Sequence, residues 1–289
     1  MRAARPPSLR RPKADRTRSL APCFTGDQAA VHAVLAAGGI DCGIAVEDLL
    51  GRAMTVQQAM RSGVDVRGMR YAAQRLGLFF LFACVLFGSA GTLGWPRGWC
   101  YLLAALVLEA LTLSLLAFLA PETLNQRGAF GAGIKPFDRA FAALWLALAL
   151  VTPVVAGLDA VRFRWSTLPW SFFYGGLLVL VLASLFANWA MVENKHFEQF
   201  VRIQEERGHR VVTTGPYRFM RHPGYLGAIL GALATPPMLG SAWTFIPAGL
   251  VALLFVVRTH LEDHTLRREL QGYEQYAQRT RFRLVPWVW

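Results

Sequence analysis

The sequence predicts an all-α fold: a multi-pass transmembrane helical bundle with four long spans, a short C-terminal helical hairpin and polar segments around that hairpin. Three observations carry this. Only 17% of the 289 residues are charged, against about 25% in an ordinary soluble domain, and the mean hydropathy is +0.35. Four stretches stay apolar over about the 20 residues a helix needs to cross a hydrocarbon core. The 30 Lys and Arg, against 18 Asp and Glu, lie outside those stretches, so a formal charge of +12 rides on an apolar body. A disulfide scaffold is excluded, because Cys23, Cys42, Cys84 and Cys100 show neither CxxC nor metal-ligand spacing.

Residues 1–70 read as a basic, partly disordered extension. The first 20 carry seven Lys/Arg, one Asp and three Pro, a composition that cannot bury a core. Short helices are expected at 29–36 and 46–60. No apolar core follows the first arginines, so the arm does not read as a secretory signal; Met60 and Met69 offer alternative starts.

Within 71–191 the spans are expected at Leu76 to Trp95, Trp99 to Leu119, Phe141 to Leu158 and Trp170 to Met191. Trp95, Trp99, Trp165 and Trp170 stand at span ends, as interfacial aromatics do. A fifth apolar region, Tyr225 to Val257, is interrupted by Thr235-Pro236-Pro237 and Gly240-Ser241. That leaves two arms of about 15 residues, roughly 22 Å each, a hairpin that spans with tilt or enters and returns. Residues 192–289 thus comprise a cytoplasmic linker, the hairpin over 225–257 and a C-terminal helix.

Basic residues set the orientation. With the N-terminus inside, the outer loops hold only Arg97, Arg162 and Arg164, and the inner segments hold the other 27 Lys/Arg. The positive-inside rule then places both termini in the cytoplasm, at the cell membrane if the source is bacterial. Anionic lipid accounts for the basicity, and nucleic acid has no place among the expected partners.

The polar pieces flanking the hairpin carry the chemistry. Residues 192–224 read VENKHFEQFVRIQEERGHRVVTTGPYRFMRHPG, with a turn signal at Thr213-Thr214-Gly215-Pro216. After the hairpin comes RTHLEDHTLRRELQGYEQYAQRTRFRLVPWVW. Both leave the same short hairpin, so they meet at the membrane surface, building a site with a lipid-facing floor and an aqueous roof.

GPYRFMRHPGYLG, then R-x-x-x-E-D about thirty residues later, then GYEQYAQRTRFRLVPWVW, resembles the isoprenylcysteine carboxyl methyltransferase and phospholipid methyltransferase superfamily. The resemblance covers about residues 120–289; PETLNQRG with Lys135 and Asp138 resembles bacterial members. Asp263 departs from the pattern, which usually has a second Glu there.

The resemblance implies an integral membrane enzyme using S-adenosylmethionine without a Rossmann domain. It carries cofactor binding onto Gln204, His209, Arg210, Val211, Val212, Tyr217, His222, Pro223, Gly224, Tyr225 and Glu262. Placing Gln204 requires a two-residue gap. Arg258 becomes the substrate-side arginine, and Arg258 with Glu262 the catalytic pair. The donor's chemistry suits such a set: a carboxylate for the α-amino group, donors for the carboxylate, aromatic faces for the sulfonium. The implied reaction is carboxyl O-methylation of a prenylated or lipid-like acceptor. The alternatives are N-methylation of phosphatidylethanolamine, a non-catalytic lipid-binding membrane protein, or an NADPH-dependent sterol reductase-like protein.

Plainer readings compete. Arg218 and Arg221 could anchor to phosphate head groups, and His222-Pro223 could simply start a helix. Glu262 could pair with Arg258 at i,i+4, a contact worth about 0.3–0.5 kcal/mol. The completeness of the pattern favours the site. His260 and His264 share a helix face, but HLEDH is out of register with HExxH, and at about 100° per residue they lie roughly 160° from Arg258 and Glu262. They read as solvated or lipid-surface residues, and no metal is expected. Glu109 lies mid-span, a functional candidate by default, with a bundle-internal bond to a residue such as Asn188 as the plainer reading. Cys84 and Cys100 read as packing residues, and Gly131-Ala132-Gly133, lacking a preceding strand, is no dinucleotide loop.

Overall fold

The computed structural model describes residues 63–129, 134–204 and 207–289; the short helices expected at 29–36 and 46–60 lie outside them. The described residues form eight α-helices: α1 Val66–Ala90, α2 Pro96–Leu119, α3 Pro121–Arg127, α4 Pro136–Gly157, α5 Trp170–Glu193, α6 Pro223–Leu239, α7 Phe245–Glu269 and α8 Tyr273–Arg279. Five segments are long and apolar enough to cross a membrane: α1, α2, α4 with its π-helical continuation to Phe163, α5 and α7. The multi-pass helical bundle is therefore present.

Element boundaries differ from the hydropathy reading where caps rule. α1 starts ten residues before Leu76, because the Asp65 carboxylate accepts from the N–H groups of Arg67 (2.8 Å) and Gly68 (3.1 Å), satisfying two of the donors a helix start leaves open. α2 and α4 open on Pro96 and Pro136, whose missing N–H costs nothing at that position. Trp95 is buried in the core with Leu86, Phe87 and Leu239, whereas Trp99, Trp165 and Trp170 are exposed as interfacial residues would be.

The hairpin is asymmetric. In place of two arms of about 15 residues, α6 has 17 and α7 has 25. Pro236 and Pro237 do not break α6; they ride in its last turn, and the break falls at Gly240, which caps the helix at φ 79°. The left-handed region that ends a helix suits glycine there. α7 runs through Val257 to Glu269 without interruption, so the second arm and the expected C-terminal helix are one element of about 38 Å.

Small residues bring α5 and α6 into contact along their length. A Cβ on Gly176 would stand 2.8 Å from Met238 Cγ, and one on Gly227 would stand 2.8 Å from Ala187 Cβ, the close backbone approach that drives helix association in lipid. α7 packs on α6 and α4, α1 on α4 and α3, and α2 on α5. Polar groups inside the bundle pair with one another. Glu109 receives Arg75 of α1 at 2.6 and 2.9 Å, not Asn188, whose amide donates instead to Thr112 Oγ1 at 3.0 Å.

Candidate active site

The segment between α5 and α6, the first turn of α6, the polar half of α7 and helix α8 converge at one end of the bundle. The convergence is held from below by Asp263. This α7 carboxylate is 1% exposed and receives Arg221 Nε at 2.7 Å, Arg283 Nε at 3.0 Å and the Tyr273 hydroxyl at 3.0 Å; Arg267 adds a longer contact at 3.3 Å. Arg221 also donates to the carbonyl of Thr280 at 2.8 Å. The C-terminal segment is further pinned where the Arg221 and His222 N–H groups bond the carbonyls of Phe282 and Arg283 at 3.0 and 2.9 Å. Arg221 is therefore a buried structural cation rather than a head-group anchor, whereas Arg218 is exposed.

A second clamp holds the other wall. Asp138, in the first turn of α4 and 0% exposed, accepts the Val201 N–H at 2.6 Å and pairs with Arg258 Nη2 at 2.9 Å. The same Nη2 donates to the Gln199 carbonyl at 2.7 Å. The Arg258 guanidinium lies 4.1 Å from the Phe141 ring centroid and 5.2 Å from that of Tyr225. Arg258 thus ties α7 to α4 and to the loop before α6, which an i,i+4 pair with Glu262 would not do. Glu262 instead accepts a hydrogen bond from the Tyr225 hydroxyl, and the Tyr225 ring stacks on His222 at 5.6 Å and 9°.

Between these clamps lies a cavity whose walls contain every residue the motif reading singled out: Gln204, His209, Arg210, Val211, Val212, Tyr217, His222, Pro223, Gly224, Tyr225, Arg258 and Glu262. Gln204, His222 and Arg258 are buried, whereas Arg210 is exposed at the rim. Tyr217 accepts from Asn194 Nδ2 at 3.2 Å, and its carbonyl accepts from the Tyr276 hydroxyl at 2.7 Å; burial pushes both phenols above their ordinary range, so they stay neutral. Gly224 lets the loop close in, because a Cβ there would meet Phe197 Cζ at 2.5 Å.

Sequence reasoning missed His196, Phe197, Leu266, Leu270, Tyr273 and Tyr276, which also line the cavity. Tyr273 and Tyr276 lie in the GYEQY stretch that carries the resemblance but receive no role there, and the other four belong to no local pattern. Asp138 carried a signal, a carboxylate in the first turn of a span, but no spacing linked it to a residue 120 positions away. His260 and His264 are exposed, and among the described residues no group of three or more His, Cys, Asp or Glu could hold a metal ion.

The donor set fits a sulfonium nucleoside. It offers one carboxylate facing a phenol, stacked rings, and buried polar atoms with spare capacity, Arg258 Nε and His196 Nε2.

Residues 176–268 match the family model described as the isoprenylcysteine carboxyl methyltransferase (ICMT) family. The chain is 32% identical over 113 residues to a probable protein-S-isoprenylcysteine O-methyltransferase of Oryza sativa subsp. indica, covering 38% of this chain and 59% of that protein. It is 31% identical over 107 residues to protein-S-isoprenylcysteine O-methyltransferase B of Arabidopsis thaliana, covering 36% and 54%. It is also 30% identical over 171 residues to methanethiol S-methyltransferase 1 of Bradyrhizobium diazoefficiens, covering 53% and 56%. The chain thus spans a little over half the length of these relatives.

Proposed function

We propose that the chain, whose residues 176–268 match the isoprenylcysteine carboxyl methyltransferase family model, is a membrane methyltransferase. It uses S-adenosylmethionine and acts on the carboxylate of a prenylated or otherwise lipid-like acceptor. The observation that carries this is the convergence of all twelve motif residues on one cavity at the end of a membrane bundle.

When bound, the cofactor supplies an electrophilic methyl group on a sulfonium sulfur. Glu262, held by Tyr225, offers its carboxylate to the α-ammonium. The first turn of α6 presents the Gly224 N–H to the carboxylate end, and Pro223, which has no N–H, opens the helix there. The stacked faces of Tyr225 and His222 suit a cation. Arg258 keeps one buried donor, Nε, without a partner, and that N–H can hydrogen-bond an oxygen of an anionic acceptor. Asp138 and the Gln199 carbonyl fix the guanidinium, so little reorganisation is needed to place the acceptor oxygen for in-line attack.

A carboxylate acceptor is already an anion and needs no base, whereas an amine or a thiol must lose a proton. That difference favours O-methylation over the phospholipid N-methylation alternative. The test is transfer of a radiolabelled methyl group from S-adenosylmethionine to native membrane lipids and to a farnesylated cysteine. Alkali-labile label released as methanol marks a methyl ester. Label that survives alkali marks N- or S-methylation and overturns the carboxylate assignment.

A further inference from the structure

His196 lies outside every motif, two residues past the start of the loop that follows α5, yet it is 5% exposed and lines the cavity. Its surroundings specify which nitrogen carries the proton. The Gln204 amide is oriented from both ends: its Nε2 donates to the His196 carbonyl at 2.8 Å, and its Oε1 accepts from Arg207 Nη1 at 2.6 Å. Oε1 therefore faces His196 Nδ1 at 3.3 Å, a contact that is attractive only if Nδ1 carries the hydrogen. In the neutral ring, Nε2 is then a bare lone pair, buried and without a hydrogen-bond partner. Such an atom costs free energy unless a ligand completes it.

We infer that the Nε2 lone pair of His196 accepts a hydrogen bond from a neutral N–H or O–H on the nucleoside half of the methyl donor. This rests on the cofactor reading above. The imidazole is stacked on His209 at 4.5 Å and 29°, giving a flat double ring beside which a purine fits. Burial, with Arg207 and Lys195 nearby, holds the ring neutral, so an ammonium is the wrong partner and is better served by Glu262. The two donors that share this chemistry are the exocyclic amine of the purine and the ribose hydroxyls.

The test is calorimetric titration of purified full-length protein with S-adenosylmethionine, its 6-deamino analogue and its 2′-deoxy analogue. One analogue should bind wild type about two- to tenfold more weakly, the range of one hydrogen bond, which identifies the donor. His196→Phe, which keeps a ring but has no acceptor, should bind the parent cofactor weaker by a similar factor and no longer discriminate against that analogue. His196→Gln, whose carbonyl can reach the same point, should restore part of both. In wild type labelled with 15N-histidine, the Nε2 resonance should shift on cofactor addition, a readout that needs no variant. Unchanged Nε2, or equal discrimination by wild type and His196→Phe, overturns the inference while leaving the cofactor reading intact. If wild type binds none of the three compounds, the cofactor reading itself falls and takes this inference with it.

Discussion

Arg258 reaches across the bundle to Asp138 at 2.9 Å, while Glu262, one turn along the same helix, is held by Tyr225. The two residues that a helical i,i+4 rule would join are committed to different walls of the cavity. This division separates their expected contributions.

Asp138→Asn should cost about 3–5 kcal/mol of stability, because it leaves a buried guanidinium without its counter-charge. Thermal unfolding in detergent reads this loss. Glu262→Gln should cost far less, since the amide oxygen can still accept from Tyr225; equal losses would mean that the two carboxylates support one network.

Glu262→Gln should weaken S-adenosylmethionine binding by about 1.5–3 kcal/mol, the range for a hydrogen bond to a charged group. Arg258→Lys keeps the charge but loses the rigid planar guanidinium, whose Nη2 bonds both Asp138 and Gln199 while Nε stays open. It should chiefly lower turnover or acceptor affinity while donor binding persists. Donor titration into both variants checks this, and matching donor losses would contradict the division of roles.

Asp263→Asn should loosen the C-terminal segment as a unit, since Arg221 and Arg283 both end on that carboxylate. Proteolysis near Arg279 and Arg281, both exposed, should accelerate, and the loss of stability should again be about 3–5 kcal/mol. Unchanged cleavage would show that backbone bonds from Arg221 and His222 suffice to hold the segment.

Stability should fall in mild acid through His196. Burial, reinforced by Arg207 and Lys195, depresses its imidazole below the ordinary 6.5. The unfolded chain therefore takes up a proton near pH 6.5 while the folded chain does not, and stability is lost as pH falls below that value. Melting temperatures from about pH 7.5 to about pH 5.5 should drop less in His196→Phe than in wild type. Parallel curves would assign the acid sensitivity to other groups.

Cysteine labelling should place positions 135, 207 and 279 on the cytoplasmic face and position 162 outside, as the distribution of Lys and Arg requires. Labelling of position 207 from outside would reverse the orientation.

Taken alone, the sequence determined the features that depend on local composition and spacing. Runs of about 20 apolar residues leave lipid as the only solvent for those helices, and the RHPGY and R-x-x-x-E patterns mark residues within a turn or two of one another. His260 and His264 do stand apart from Arg258 and Glu262, because one regular helix carries all four. Tertiary structure decided the features that depend on pairing between distant segments. Glu109 could have met any polar neighbour in the bundle, and only the packing of α1 beside α2 gives it Arg75. Arg221 and Arg258 look alike as exposed or buried cations in a string of letters; their carboxylates, Asp263 and Asp138, lie 42 and 120 positions away. The apolar stretch holding Pro236 and Pro237 reads as two short arms. Two prolines near the end of a helix forfeit only the backbone bonds of that last turn, however, and Pro237 lies against Gly176 of α5, so α6 continues to Gly240. His196 has no sequence signal, because its unpaired nitrogen exists only after Gln204, Arg207 and the cavity have closed around it.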